Sequence, residues 1–573
     1  DFANPEHRAE VARLWQVDEV PSAPGKSAVE MFQAAADGQI KALWIACTNP
    51  AQSMPDQAAV RRALERCELV VVQEAYATTA TARYADVLLP ATSWGEKDGT
   101  VTNSERCISR VRPAVDAPGE ARHDWHIGVD FARRLEQRLH TDPTTAARLR
   151  PNAATLFPYG DARAVWNEHR ESTRGRDLDI TGLNYAQLEQ SPAQWPFPEG
   201  ARAGRARLYE DSRYATVDGK ARFVDTAYEP VAEERDARYP YALNTGRLRD
   251  QWHGMSRTGT LGRLFGHEPE PAVDLHPQDM LRLGLVAGDL VQLASRRGEI
   301  ILPARASPQV SPMQCFIAMH WGDEYVWGAT ATGQRAAGVN ALTSPAYCPQ
   351  SKQPELKHAA VKITKMDLPW RLLALAWLPE GEVMTLKQQL GELVERVGSA
   401  LPFALCVPFG RERSGLLLRA AAAEPLPQAW LESLEDLLGL GQAGVLHYAD
   451  GKRGQRRSMR LVAQADGSQR LDALLLGGDV SAEAWVKTVL QDELPAQAYG
   501  RLLLSPGATP PVAVAARGKQ VCSCFDVSEP RIVERLKACP GDDDARLAQL
   551  QQALNCGTQC GSCVPELKRL VRA

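Results

Sequence analysis

The sequence lacks any apolar run approaching the roughly 18 residues that a membrane-spanning helix requires. The longest candidate, residues 372–378, is short and stops at Pro379. A one-sided charge balance is also missing, because the formal net charge of the 573 residues is -4. Nothing therefore predicts binding to a membrane or to nucleic acid. The N-terminus has neither an initiator methionine nor the features of a signal peptide, so we expect a piece of a longer chain.

Cysteine is scarce outside the C-terminal region. Single cysteines stand at positions 47, 67, 107, 315, 348 and 406, and the other six of the twelve follow position 520. Scattered single thiols are typical of a reducing compartment. We therefore predict a cytoplasmic protein without disulfide bonds.

The C-terminal cysteines form a C-x-C pair, Cys522 and Cys524, and a C-x-x-C pair, Cys560 and Cys563. Helices are predicted over residues 529–537, 544–554 and 565–571, so we expect each pair in a loop at a helix start. Helix N-termini stabilise thiolates. Four thiolates at this spacing suit either zinc or an iron–sulfur cluster, and spacing alone leaves both possibilities open.

The first segment has the pattern of a parallel α/β sheet. Apolar runs at 41–47, 69–73 and 85–90 read as strands, and residues 58–67 have helical periodicity. Ligands bind at the carboxyl ends of such strands, which places Asn49, Gln73 and Glu74 at a ligand edge. There is no G-x-G-x-x-G, so this is not the common dinucleotide fingerprint.

Residues 239–365 alternate short strands with Gly-Asp turns, which predicts an all-β barrel. The first strand leads into Thr245, Gly246 and Arg247. Glycine lets the backbone approach a ligand and arginine binds phosphate in a bidentate manner, although a plain surface turn is the alternative. Beyond the barrel, helices at 386–397, 427–440 and 480–490 and four strands predict a small α+β domain, which either docks an electron donor or acts as a spacer.

Several motifs in order resemble the molybdopterin oxidoreductase superfamily, and are most similar to the catalytic subunits of bacterial assimilatory nitrate reductases. They are TNP at 48–50, RYADVLLP at 83–90, EKDGT at 96–100, TGR at 245–247 with WH at 252–253, NALT at 340–343 and SKQPELK at 351–357. The cysteine tail resembles the bacterioferritin-associated-ferredoxin-like [2Fe-2S] domain.

The resemblance implies a molybdenum–bis(molybdopterin guanine dinucleotide) cofactor and a [2Fe-2S] cluster. A carboxylate in such a site suits the paired donor edge of guanine. The positions that carry over as cofactor contacts are Asn49, Gln73, Glu74, Lys97, Asp124, Thr245, Gly246, Arg247, Trp252, His253, Asn340 and Lys357. The cluster ligands that carry over are Cys522, Cys524, Cys560 and Cys563, with Cys556 as a bystander.

Pattern and resemblance together predict a multidomain α/β plus β chain in five segments. They are a partial α/β molybdopterin guanine dinucleotide-binding domain (1–115), a connecting helical and loop region (116–235), a double-psi β-barrel (236–366), a small α+β domain with a linker (367–515) and a small helical [2Fe-2S] domain (516–573).

The chain departs from the family in one respect, because the N-terminal C-x2-C-x3-C type motif and a molybdenum ligand are absent. We expect both the [4Fe-4S] cluster and the molybdenum ligand upstream of Asp1, so the catalytic residue is unknown. The resemblance implies reduction of nitrate to nitrite, with electrons entering through the tail. The implied donor is an NADH-linked flavoprotein subunit, or ferredoxin or flavodoxin. Formate oxidation and a non-catalytic electron-transfer module are the alternatives.

Overall fold

The computed structural model describes residues 3–572 except 143, 145–154, 331–332, 334, 380, 506, 508, 511–512 and 515–516. Within these residues no helix is both long and apolar enough to cross a membrane.

The first segment folds as a three-stranded parallel sheet, as the alternation of strands and helices predicts. The strand order is β1-β2-β3, and Ile45 pairs with Val72, which lies next to Leu88. The strands are β1 (Ala42–Ala46), β2 (Leu69–Glu74) and β3 (Val87–Pro90). The helices are α1 (Pro5–Trp15), α2 (Ala28–Ala36), α3 (Pro50–Ser53) and α4 (Gln57–Arg66).

The connecting region contains a second small sheet, which the sequence reading missed. Its antiparallel order is β4-β5-β6, and the short β6 brings the chain from the connecting region back onto β5. The strands are β4 (Gly99–Thr102), β5 (Cys107–Val111) and β6 (Ala193–Gln194). The helices are α5 (Asp124–Thr141), α6 (Ala162–Glu171) and α7 (Tyr185–Gln190), and α5 confirms the helix predicted there.

Residues 241–365 close into a six-stranded barrel in the order β10-β8-β11-β7-β12-β9, which confirms the predicted barrel. Its interior is filled by fully buried side chains such as Leu243, Leu293 and Ile317. The strands are β7 (Tyr241–Gly246), β8 (Val273–Leu275), β9 (Leu290–Ala294), β10 (Glu299–Ala306), β11 (Gln314–Ala318) and β12 (His358–Lys365). The α-helix α8 (Pro277–Arg282) lies between β8 and β9.

The third segment is an α+β domain built on a six-stranded antiparallel sheet, not on four strands as expected. The order is β14-β15-β13-β18-β17-β16. The strands are β13 (Trp370–Leu378), β14 (Phe403–Phe409), β15 (Ser414–Ala422), β16 (Leu446–Asp450), β17 (Gln455–Ala463) and β18 (Gln469–Gly478). The helices are α9 (Val383–Glu395), α10 (Gln428–Leu437) and α11 (Glu483–Gln491).

Both faces of this sheet are buried. Leu373 and Leu375 of β13 belong to the core that continues into the barrel, whereas Leu372 and Ala374 face the core beneath α9 and α10. Side chains alternate between the faces of a strand, so a strand covered on both sides is apolar throughout. The barrel and the α+β domain therefore share one continuous core.

The tail has its own small core around Val521, Ile532, Leu550 and Leu567. It is not purely helical, because a short antiparallel hairpin precedes the helices. The hairpin strands are β19 (Gln520–Cys522) and β20 (Val527–Ser528). The helices are α12 (Glu529–Leu536), α13 (Asp543–Leu554) and α14 (Val564–Arg572).

Candidate cofactor and metal sites

Three donors converge on the carboxylate of Asp124, the first residue of α5. Lys97 Nζ lies 2.7 Å from Oδ2, while Gln73 Nε2 and Cys47 Sγ lie 2.9 Å and 3.1 Å from Oδ1. Burial raises the pKa of Asp124, but these donors outweigh it and hold the pKa below its ordinary value. The structure thus brings together the predicted residues Gln73, Lys97 and Asp124, with Asp124 as a carboxylate at neutral pH.

One further side chain, Glu74, lies near this carboxylate at the end of the parallel sheet. Glu74 accepts a hydrogen bond from the Ala75 backbone at 2.7 Å, and burial raises its pKa. Burial and Asp124 raise the pKa of Cys47 to about 11, so its thiol stays protonated and donates. A partly buried carboxylate next to an amide and an ammonium group suits a heterocycle that offers both donors and acceptors.

Asn49 and Asn340 join the parallel sheet to the barrel. Asn49 donates to Glu324 Oε1 at 2.8 Å and accepts from the backbone and hydroxyl of Thr81 at 3.0 Å and 2.6 Å. Asn340 donates to the backbone oxygen of Gln52 at 2.8 Å. Both predicted contact residues thus use polar atoms in hydrogen bonds within the protein, and these bonds join the parallel sheet to the barrel segment.

At the end of β7 a ligand could approach the backbone closely. Thr245 is buried and donates through its hydroxyl to the Leu356 carbonyl at 2.6 Å, and its N–H points to the Lys357 carbonyl at 3.4 Å. A Cβ on Gly246 would lie 2.7 Å from the Phe316 ring, so this position has no room for a side chain. The backbone itself forms the surface at this point.

Two exposed cations lie beside this strand end: Arg247 follows it in the chain, and Lys357 directly precedes β12. Arg247 and Lys357 are exposed, and neither pairs with an acidic side chain in the part of the chain that the structure describes. Trp252 is 48% exposed, and its ring meets the His253 ring edge-on at 4.6 Å. Burial, together with Arg247 and Arg257, lowers the pKa of His253. The surface is electropositive and bears an aromatic face, which suits phosphate oxygens and a planar ring.

His320 fixes the shape of this loop, a role that the sequence reading did not assign. Its ring is fully buried, with Nδ1 donating to the His253 carbonyl and Nε2 accepting from the Leu248 N–H at 2.8 Å. Burial is the main cause that lowers the pKa of His320. The imidazole is therefore neutral and spans the loop. The MHWG run at 319–322 was visible in the sequence, but nothing in it distinguishes a buried bridge from a surface histidine.

The four predicted thiols fall into two pairs. Cys524 and Cys560 are 3.3 Å apart between their sulfur atoms and lie toward solvent. Cys522 and Cys563 are each 2% exposed and contact one another. Cys563 directly precedes α14, as expected, but Cys522 lies on strand β19, not in a loop at a helix start. The hairpin places it there because Val521, beside it, belongs to the core of the tail.

The thiol arrangement bears on the choice between zinc and iron–sulfur. Among the described residues no three Cys, His, Asp or Glu side chains converge as a site for a single ion. A two-iron cluster takes two thiolates at each iron, which two separate pairs can supply. The two pairs together supply the four thiolates that a [2Fe-2S] group takes. Cys556 is fully buried near Cys522, and burial, with a smaller contribution from that thiol, raises the pKa of Cys556 to about 11.

The described chain thus combines a parallel α/β sheet, a closed β-barrel and a C-terminal tail with two pairs of thiols. Three family models match the chain: Molybdopterin oxidoreductase at residues 3–134, Molydopterin dinucleotide binding domain at 241–360 and BFD-like [2Fe-2S] binding domain at 520–573. The chain belongs to the molybdopterin oxidoreductase family and carries a BFD-like [2Fe-2S] binding domain.

Known relatives add to this assignment. The chain is 33% identical to a nitrate reductase of Klebsiella oxytoca, covering 99% of this chain and 60% of the relative. It is 34% identical to the assimilatory nitrate reductase catalytic subunit of Bacillus subtilis, covering 63% of this chain and 47% of the relative. It is 33% identical to the F420-dependent formate dehydrogenase subunit alpha of Methanocaldococcus jannaschii, covering 61% and 47%. The chain thus spans between about half and 60% of these relatives.

Proposed function

We propose that the chain is part of the catalytic subunit of a cytoplasmic, molybdenum-dependent assimilatory nitrate reductase. One observation carries this choice. The similarity to the Klebsiella nitrate reductase runs through 99% of the chain, cysteine tail included, whereas the similarity to the formate dehydrogenase subunit covers 61%. The reaction consumes nitrate, two electrons and two protons and yields nitrite and water. The molybdenum cofactor supplies the oxygen-atom and electron chemistry when bound.

The residues of this chain position that cofactor. Asp124, with Lys97, Gln73 and Glu74 around it, would accept hydrogen bonds from the donor edge of a guanine. Arg247 and Lys357 neutralise phosphate oxygens beside Trp252 and His253, because a cationic surface is the usual partner of a pyrophosphate. Thr245, Gly246, Asn49 and Asn340 hold the backbone that presents these groups.

The tail receives electrons in this proposal. Cys522, Cys524, Cys560 and Cys563 hold the [2Fe-2S] cluster, and the electrons come from an NADH-linked flavoprotein subunit or from ferredoxin or flavodoxin. The cluster belongs near the surface on such a route, and Cys560 is exposed. The exposure of Cys560 supports the tail as the point at which electrons enter from a donor protein.

Nitrate-dependent oxidation of reduced methyl viologen by the full-length protein tests the substrate. We expect turnover with nitrate and formation of one nitrite per two electrons. Turnover with formate and none with nitrate would replace the proposal with the formate dehydrogenase reaction.

Metal analysis separates a third possibility, that the protein only transfers electrons. We expect two irons at the tail and molybdenum in the full-length protein. Iron without molybdenum would support a non-catalytic module, and zinc in place of iron would refute the [2Fe-2S] assignment.

A further inference from the structure

The loop that follows β7 carries predicted cofactor-contact residues and also contacts the cysteine tail. Residues 247–253, which we name the clamp loop, carry Arg247, Trp252 and His253 toward the predicted dinucleotide. Between them stands Arg249, whose side chain contacts the cysteine tail. Its Nη1 lies 3.1 Å from Glu566 Oε2 and its Nη2 donates to the Val521 carbonyl at 2.8 Å.

The contacts reach the residues that flank the thiols. Asp250 accepts from Arg249 Nε at 3.1 Å and from the Ser523 hydroxyl, and Ser523 stands between Cys522 and Cys524. Val521 directly precedes Cys522, and Glu566 lies on α14, three residues after Cys563. One arginine and one aspartate of the clamp loop thus contact both halves of the cysteine site.

The contact is largely removed from solvent. The side chains of Arg249, Asp250 and Glu566 are 17%, 9% and 12% exposed. Glu566 also pairs with His267 at 3.1 Å and with Lys519 at 2.8 Å. A half-buried arginine that serves three acceptors is worth more than an exposed pair, because its partners cannot regain water when it is lost.

A second arginine secures the hairpin from the α+β domain. Arg411 donates to the Ser523 carbonyl at 2.8 Å and to the Cys524 carbonyl at 2.7 Å. It does not contact the clamp loop in the hydrogen bonds of the described chain. Among the hydrogen bonds of the described residues, Arg249 and its neighbour Asp250 therefore connect the tail with the clamp loop, and Arg249 makes the larger number of these contacts.

We propose that Arg249 is a positioning residue, which docks the [2Fe-2S] tail against the clamp loop and raises the reduction potential of the cluster. The second half rests on the proposed function, whereas the docking does not require a bound cluster. The cluster gains negative charge on reduction, so a nearby guanidinium stabilises the reduced form. A nearby carboxylate such as Glu566 has the opposite effect.

Two variants with opposite electrical signs test the proposal in the full chain. Arg249→Ala removes a positive charge, and Glu566→Gln removes a negative charge while keeping the side-chain shape. We expect the midpoint potential, followed by electron paramagnetic resonance during redox titration, to fall in the first and to rise in the second. A purely structural disturbance would move both in the same direction.

Docking is measured in the same variants by limited trypsin digestion after Arg517 and Lys519, which flank the start of the tail. We expect cleavage to quicken about tenfold or more in Arg249→Ala, because Arg517 and Lys519 pair with Asp526 and Glu566 in the folded tail and must leave these partners to enter the protease. The control is Arg296→Ala, an arginine of the same barrel that pairs with Glu233 and Asp236 away from the tail. Its digestion rate and potential should equal those of the unaltered chain.

The outcomes are distinguishable. Digestion of Arg249→Ala at the rate of the Arg296→Ala control, or potentials that shift in the same direction in Arg249→Ala and Glu566→Gln, would overturn the inference. Absence of iron from the unaltered chain would defeat the proposed function, and the digestion rates would still decide whether Arg249 docks the tail.

Discussion

Asp124 is the residue on which the predicted guanine site depends, because three donors meet at its carboxylate. Replacing it with asparagine keeps the shape but leaves the Lys97 ammonium without its partner. We expect Asp124→Asn to destabilise the fold by about 1–3 kcal/mol. We also expect it to lower the guanine nucleotide that acid denaturation releases from the full-length protein. Nucleotide per protein and thermal unfolding measure the two effects.

The matched control for Asp124 lies on the same helix. Asp130 pairs with Arg122 and Arg134 on the surface, at 3.3 Å and 3.1 Å. Asp130→Asn should change stability by no more than about 0.5 kcal/mol and leave the bound nucleotide unaltered. Equal nucleotide content in Asp124→Asn and Asp130→Asn would remove Asp124 from the site.

Lys387 has no part in the proposed chemistry. We expect its buried charge to lower the free energy of unfolding. Its side chain is 6% exposed, its ammonium lies 3.5 Å from the Tyr325 ring centroid, and no carboxylate of the described residues pairs with it. Burial lowers its pKa from 10.5 to about 8. We expect Lys387→Met to raise the free energy of unfolding at pH 7 by about 2–3 kcal/mol.

The pH dependence of this gain has a definite sign. Between pH 8 and 10.5 the unfolded chain holds the Lys387 proton and the folded chain has released it, so the unaltered protein gains stability as pH rises. The advantage of Lys387→Met should therefore shrink across this window in denaturant titrations. The exposed Lys362, changed to Met, should show no such trend. A gain that stays constant with pH would contradict the assignment.

At the scale of elements, β13 shows where sequence patterns fail. Residues 372–378 were apparent as an apolar run, but a strand buried on both faces lacks the alternation that reveals a half-buried strand. By contrast, β1, β2 and the helix Gln57–Arg66 have clear patterns and lie where predicted. The hairpin β4–β5 was missed because its strands are short, mix polar with apolar residues and are mostly half-exposed.

Some features of the candidate site could likewise be predicted from the sequence, and others could not. The positions of Gln73 and Glu74 followed from the geometry of a parallel sheet, where the strand ends define a ligand edge. Contacts such as Asn49 with Glu324 and Arg249 with Glu566 join residues about 275 and 317 positions apart. No local pattern encodes such pairs, because they depend on how whole units pack.

The substitution Gly246→Ala tests whether the end of β7 requires a residue without a side chain. An added Cβ would lie 2.7 Å from the Phe316 ring, so Gly246→Ala must displace either the ring or the clamp loop. We expect a loss of about 1–3 kcal/mol in stability, measured by denaturant titration. The second change Phe316→Leu should restore part of it by making room.

A glycine in open space is the control for Gly246. Gly128 lies within α5 with nothing within 4 Å of an added Cβ. Gly128→Ala should therefore stabilise the protein by up to about 1 kcal/mol, through helix propensity. If both substitutions had the same effect, crowding at Phe316 would not be the reason for glycine at 246.

At the scale of the whole molecule, Glu270 joins the barrel to the α+β domain. Its carboxylate pairs with Arg419 of β15, and with Lys487 of α11 at 3.1 Å. The Glu270 side chain is 16% exposed. The burial opposes ionisation, but the two cations prevail and lower its pKa from 4.5 to about 2. These three charged side chains therefore link the two domains that share the continuous core.

Removing the Glu270 charge should lower the stability of both domains at once, because they share one core. We expect Glu270→Gln to lower the free energy of unfolding by about 3 kcal/mol at pH 7. A carboxylate whose folded pKa is depressed stabilises fully above its unfolded pKa, and loses the contribution as pH falls through the folded value. The gap between the unaltered protein and Glu270→Gln should thus stay constant above about pH 4.5 and close toward pH 2. Thermal unfolding followed from pH 6 to 2 measures it, and a gap that persists at pH 2 would show that packing, not charge, holds the domains at this point.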